Sequence, residues 1–87
     1  QSLYPWHVNH FIFPNEKLTA EQKKPVGDFH FFNGKWILIN RGLSDLWDKE
    51  LNKKIGVGEY VELTEGKTIL LGKNDGDRLI VVQLVNN

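Results

Sequence analysis

Asp28-Phe29-His30-Phe31-Phe32-Asn33-Gly34-Lys35-Trp36-Ile37-Leu38-Ile39-Asn40 is the stretch that decides the fold. Two runs of aromatic and β-branched residues, which favour a pleated and half-buried surface, flank the pair Asn33-Gly34. Asn and Gly both tolerate the positive φ that a type I′ turn demands at its two central positions, so the pair predicts a tight hairpin. On the second arm Trp36, Leu38 and Asn40 share one face and Ile37 and Ile39 the other. Large apolar side chains on both faces predict a strand in the interior of a sheet.

Working outward, the same pattern recurs without any long 3.6-residue stripe, which predicts an all-β chain. On the N-terminal side, His7 to Phe13 reads as a first strand that Pro14 ends. Thr19-Ala20-Glu21-Gln22 has capping-box spacing and predicts one short helical turn near residues 19–24, limited by Pro25. On the C-terminal side, Arg41 to Asp48 reads as irregular, and Lys49 to Ile55 as a short polar hairpin around Asn52-Lys53. Glu59 to Leu63 alternates, and Glu65-Gly66 turns it into Lys67 to Leu71 as a further hairpin. Beyond the loop from Gly72 to Asp77, Arg78 to Val85 holds Leu79-Ile80-Val81-Val82, an unbroken apolar run suited to a strand buried on both faces. Seven or eight strands with frequent turns predict a small two-sheet β-sandwich or partly closed barrel.

The chain has 87 residues, 11 basic and 11 acidic side chains, three His and no Cys. A second core would leave each half below the roughly 40–60 residues at which unaided folding becomes marginal, so one domain spanning residues 1–87 is expected. Balanced charge supplies no broad positive field for nucleic acid or an anionic membrane surface. The absence of cysteine rules out disulfides and thiolate metal sites and suits a reducing, cytoplasmic setting. No apolar run reaches the roughly 20 residues that a bilayer-spanning helix needs. A start at Gln1 suggests a fragment of a larger protein.

Candidate chemistry is sparse. His7, His10 and His30 have the residue type for a metal, but His7 and His10 three apart on a strand point to opposite faces, so no metal is expected. Ser44 with His30 and Asp45 or Asp48 has the types of a nucleophilic triad and lacks a nucleophile elbow. The carboxylate pairs Glu59/Glu62, Glu62/Glu65 and Asp75/Asp77 sit in or beside turns, where solvated charge is ordinary. Gly72 to Gly76 lacks phosphate-loop spacing and opens no helix. The expectation is a non-catalytic chain without cofactor. Tyr4, Trp6 and Trp47 lie in poorly regular segments, where an aromatic ring serves either as a contact anchor or as a plug over the core. Arg41 is the only arginine among these loops and the best donor for an anionic group.

Four segments in order carry a family resemblance: Asn33-Gly34-Lys35-Trp36-Ile37-Leu38, Gly42-Leu43-Ser44-Asp45, Ile55 to Leu63, and Thr64-Glu65-Gly66-Lys67-Thr68-Ile69-Leu70-Leu71-Gly72. Together they make the stretch from Gly34 to Val85 resemble the second half of a forkhead-associated (FHA) domain, with Leu18 to Gln22 similar to an earlier family loop. The resemblance implies a β-sandwich that recognises phosphothreonine peptides through loops at one end. The sequence departs from the family's phosphate-holding pattern: no Gly-Arg precedes the hairpin, and the later Asn-Gly position falls on Leu46-Trp47. A phosphate stripped of water without an Arg fork is costly, so the resemblance implies the scaffold, with its loop end turned to a protein or peptide partner in signalling. Lys17, Thr19, Arg41, Ser44, Asp45 and Trp47 are the expected contact residues, with the Asn74 to Asp77 loop beside them. The competing expectation is a structural domain packed on a neighbour, or on a second copy through a sheet edge or the Tyr4 to Phe13 segment.

Overall fold

The structure is a computed structural model that describes residues 2–8, 24–73 and 76–84. Its elements are β1 (Ser2–Leu3), the single helical turn α1 (Pro5–Val8), β2 (Gly27–Phe32), β3 (Lys35–Asn40), β4 (Leu46–Asp48), β5 (Lys53–Ile55), β6 (Tyr60–Leu63), β7 (Thr68–Leu70) and β8 (Leu79–Val81). The strands form two antiparallel four-stranded sheets, ordered β1-β2-β3-β6 and β5-β4-β7-β8. The chain is the small all-β, two-sheet fold that its turn spacing predicts.

The β2–β3 hairpin forms as expected. Asn33 and Gly34 adopt φ of 51° and 76°, and the arms pair from Phe32↔Lys35 to Gly27↔Asn40. β3 lies between β2 and β6, the interior position its two apolar faces predict. Leu38 and Asn40 face inward and are fully buried, while Ile37 and Ile39 are half-buried on the opposite face. Leu38 and Val61 from this sheet pack with Leu46, Ile55 and Ile69 from the other, joined by Leu3, Val8, Leu43, Leu71 and Val82. Each such side chain contributes about 1.5–3 kcal/mol of transfer free energy.

Asn40 sits inside this apolar cluster and is saturated. Its Nδ2 donates to the carbonyls of Leu43 (2.7 Å) and Ile55 (2.8 Å), and its Oδ1 accepts from the amides of Gly42 (3.1 Å) and Leu43 (2.7 Å). An amide side chain has two donor hydrogens and two acceptor lone pairs, and all are used. Ile55 belongs to the second sheet, so one residue clasps the end of β3, the loop that follows it, and β5.

The structure corrects four expectations. His7 and Val8 do not begin a strand: they close α1, where His7 N–H donates to the Tyr4 carbonyl (2.9 Å) and His7 Nδ1 accepts the Tyr4 N–H (3.0 Å). A proline at the first helical position, with φ already fixed, favours that turn; the rest of the expected strand, residues 9–13, lies outside the described residues. Arg41 to Asp48 is not irregular throughout, because Leu46–Asp48 pairs with both β5 and β7. The polar hairpin around Asn52 (φ 51°) therefore exists, with β4 as its first arm. The turn at Glu65-Gly66 does not join a hairpin: β6 pairs with β3 in one sheet and β7 with β4 and β8 in the other, so it carries the chain between layers. Finally, β8 is an outer strand, with Leu79 and Val81 exposed. The helical turn expected near residues 19–24 falls, apart from Lys24, outside the described residues.

Replacing Asn40 by Ala strands the buried Leu43 amide and the carbonyls of Leu43 and Ile55, each costing about 1–3 kcal/mol when left without a partner, while the Gly42 amide keeps the Val26 carbonyl at 3.1 Å. Asn40→Ala is expected to lower unfolding free energy by about 3 kcal/mol or more, read from urea denaturation. Asn40→Asp recovers little of this, because a carboxylate turns oxygen toward the carbonyls of Leu43 and Ile55.

Candidate interaction surface

Of the expected contact residues, Arg41, Ser44, Asp45 and Trp47 are described, while Lys17, Thr19 and residues 74–75 lie outside. The described four fall into two groups. Arg41 follows β3 and turns to β2, where its Nε donates to Asp28 Oδ2 at 2.6 Å. Asp28 also accepts from Ser2 Oγ at 3.2 Å. The hydrogen bond from Arg41 is the main reason the Asp28 carboxyl is held below the ordinary carboxylate range. The best single donor for an incoming anion thus already faces an ionised carboxylate.

Ser44, Asp45 and Trp47 form the second group. Ser44 Oγ donates to Asp45 Oδ2 at 3.4 Å, and Lys73 Nζ lies 4.0 Å from Asp45 Oδ1 and 5.3 Å from the centroid of the Trp47 ring. Trp47 is on β4, opposite Lys54 on one side and Leu70 on the other. It is half-buried, and its indole N–H is buried with no hydrogen-bond acceptor among the described residues. A lysine over its face and a buried N–H give Trp47 the character of a plug.

The aromatic surface lies instead at the tip of the β2–β3 hairpin. Phe31 and Trp36 sit directly across from each other, with ring centroids 5.3 Å apart in an edge-to-face arrangement, and they are 61% and 43% exposed. They share the inward-facing side of their strands with Phe29 and Leu38, but here the inner face runs past the core. Trp36 lines an apolar hollow of about 380 Å³ together with Phe29, Leu63, Ile80, Val82 and Leu84. The wall from Ile80 to Leu84 is held by backbone bonds: Val82 N–H donates to the Lys67 carbonyl (2.8 Å), Gly66 N–H to the Val82 carbonyl (2.9 Å), and Leu84 N–H to the Glu65 carboxylate. Sequence reasoning missed this site. The available signal was Phe31, Phe32 and Trp36 crowded around a two-residue turn, more ring area than a hairpin tip can bury.

A larger, polar cleft of about 490 Å³ opens between β5 and β6, with Lys53, Glu59, Tyr60 and Glu62 around it and Asp48 and Lys67 at its floor. Lys67 Nζ donates to Asp48 Oδ2 at 2.8 Å, and Asp48 Oδ1 accepts from the amides of Glu50 (2.9 Å) and Leu51 (3.1 Å). The two floor charges neutralise each other, and Glu62 is paired with Lys35 at 3.4 Å on the far face of β6. The cleft therefore presents no single sign of charge to a ligand. His30, opposite Ile37 on β2, belongs to the first sheet, whereas Asp48 is on the second sheet and Ser44 in the loop before it. No cluster of three or more metal-ligating side chains occurs among the described residues, and none of the described helices is long and apolar enough to cross a membrane.

Comparison with protein-family models, with curated proteins and with solved structures gives no match.

Burial alone would raise the Asp48 carboxyl, but the hydrogen bonds from Lys67, Leu51 and Glu50 and the Lys67 charge together outweigh it and hold it below its ordinary value. A carboxyl depressed in the folded state adds stability above its unfolded pKa of about 4, and that stability is lost as pH falls through the lower folded value. Asp48→Asn is expected to cost about 3 kcal/mol near pH 6, because it leaves a buried ammonium without its counter-ion. The gap to the unsubstituted chain should narrow toward about pH 2, as measured by unfolding free energy against pH.

Proposed function

We propose that this chain is a non-catalytic protein-interaction module that binds an apolar segment of a partner protein. The observation that carries this reading is the hollow beside the exposed Phe31–Trp36 pair. Large aromatic rings held on a paired strand bury much area for little entropy, and an adjoining apolar hollow accepts a partner's aliphatic or aromatic side chain as an anchor. The charged pair Lys35–Glu62 lies on the opposite face of the same strands and leaves the hollow apolar.

The resemblance to the forkhead-associated family agrees with such a role, and the contact region extends in that reading to Arg41, Ser44, Asp45 and Trp47. Phosphate dependence is expected to be weak. Asp28 occupies Arg41, and a phosphate of nearly two negative charges would have to compete with that carboxylate for the loop's one guanidinium. A chain with no cysteine suits a signalling role in a reducing interior such as the cytoplasm.

Selection of a displayed random-peptide library on the chain tests the proposal. Enriched peptides should carry an aliphatic or aromatic anchor. Their affinity, read by calorimetry, should fall about tenfold or more with Trp36→Ala, which corresponds to about 1.4 kcal/mol for one anchor contact. Adding a phosphate to a threonine of the same peptides should change affinity little. A library that yields no binder, or binders indifferent to both Trp36→Ala and Phe31→Ala, would sink this reading.

A further inference from the structure

Asparagine followed by glycine is a reactive pair as well as a turn signal. The backbone nitrogen after an asparagine can attack the side-chain amide carbon, and glycine, with no Cβ, leaves that nitrogen open to approach. The described asparagines differ in whether their surroundings allow this. Asn40 is fully buried, its carboxamide is spent in hydrogen bonds, and Arg41 follows it. Asn52 is exposed, but the residue after it is Lys53, held in β5 opposite Asp48. Asn33 is exposed and Gly34 follows it, with nothing beyond the adjoining residues within 4 Å of where a Gly34 Cβ would stand. Among the described residues no group bonds the Asn33 carboxamide or the Gly34 N–H.

The turn decides when the two reacting groups meet. Asn33 and Gly34 hold φ of 51° and 76°, both positive as in type I′. In that turn ψ of the first central residue is about +30°, and Cβ stands about 120° round Cα from the backbone nitrogen, so the Gly34 nitrogen lies about 150° away from the side chain. Type I′ therefore protects Asn33. Turning the Asn33–Gly34 peptide over converts the loop to type II′, the other turn that joins two strands through two residues, and leaves the closing Phe32↔Lys35 pair untouched. φ of Asn33 stays positive, φ of Gly34 changes sign at no steric cost, and ψ of Asn33 comes to about −120°, which eclipses the Gly34 nitrogen with Cβ. A side chain is costly in that conformation, so roughly one molecule in ten to one in two hundred holds the flipped turn.

We infer that Asn33 is a site of spontaneous deamidation in the folded chain, gated by the flip between these two hairpin turns. The Gly34 nitrogen gives up its proton and bonds to Asn33 Cγ, the Cγ–Nδ2 bond breaks, and Nδ2 leaves as ammonia with the proton, closing a succinimide ring. Water then adds to one of the two imide carbonyls. Opening at Cγ restores an ordinary peptide with Asp in place of Asn33, whereas opening at the backbone carbonyl leaves an isoaspartyl link, with the main chain running through Cβ and Cγ. Either product places a new carboxylate on a chain whose formal net charge is zero. The isoaspartyl form also adds an atom to the main chain of a two-residue loop, which displaces the closing Phe32↔Lys35 pair and the Phe31–Trp36 ring contact behind it. The inference concerns the turn alone and holds whether or not the hollow binds a partner.

Peptide mapping by mass spectrometry of the whole chain, incubated in mildly alkaline buffer well below its melting temperature, tests the inference. Asn33 is expected to convert to a mixture of aspartyl and isoaspartyl forms about tenfold or more faster than Asn52 in the same sample, because only Asn33 precedes a residue without Cβ. The rate should be roughly ten- to two-hundredfold below that of an unfolded synthetic peptide of residues 29–38, the factor by which the flipped turn is the minority. Urea kept below the unfolding transition separates reaction through the flip from reaction through unfolding. The unfolded population climbs exponentially with urea, whereas a local flip leaves the rate within about twofold of its value in buffer. Asn33 that reacts no faster than Asn52 overturns the inference, as does a rate that rises with urea in step with the unfolded population, or one equal to that of the free peptide.

Discussion

Everything in this fold depends on the buried side chain of Asn40. A sandwich of strands only two to six residues long has little area on each inner face, and its layers must be held in one relation by something more directional than apolar contact. Asn40 supplies that direction, since Leu38 beside it could slide against Ile69 or Leu46 at little cost, whereas four hydrogen bonds of fixed geometry cannot be re-formed in a shifted register. The backbone of the same residue is engaged as well: Asn40 N–H donates to the Glu59 carbonyl (2.9 Å) and the Asn40 carbonyl accepts from Gly58 (2.8 Å). The entry to β6 is thereby set by the residue that sets the exit of β3. With β3 and β6 placed, Trp36 and Leu63 come to face each other and the hollow acquires two of its walls.

The features legible in the sequence were those decided within a few residues. Asn33-Gly34 dictates its turn through φ alone, and the two-faced apolar content of Lys35 to Asn40 reports an interior strand wherever its neighbours come from. Features decided by distant partners were not legible. Leu79-Ile80-Val81 is as apolar as a central strand, but apolar content records affinity for burial and not whether a neighbour arrives. Glu65-Gly66, with Gly66 at φ 81°, serves equally to fold a strand back on its neighbour or to carry it to another layer. At the surface, Trp47 looks like a loop aromatic until Leu70 on β7, far along the chain, pairs with it and makes it part of a strand. Arg41 looks free until Asp28 claims it.

Polar groups are distributed by the same logic. Where charge is buried it is matched, as Lys67 is by Asp48, because a charge left alone in that position costs about 3 kcal/mol or more. Exposed apolar side chains cluster at the hairpin tip and along β8, and Leu51, Val57 and Tyr60 are exposed elsewhere, while β5 and β6 carry lysine or glutamate. Scattered apolar residues on a surface need no explanation, whereas contiguous ones with charge kept away from them mark contact surfaces.

The chain passes between its two sheets at residues 41–45, 56–59 and 64–67, each time within four or five residues. Each passage is closed by its own bonds, such as Glu59 N–H to the Gly56 carbonyl (3.0 Å) and Lys67 N–H to the Thr64 carbonyl (3.0 Å). Links so short add little to the entropy of closing the structure and offer no slack when it opens. Neither sheet can come apart while the other persists. The module therefore melts as a single cooperative unit, and a pull or a protease that frees one layer releases both.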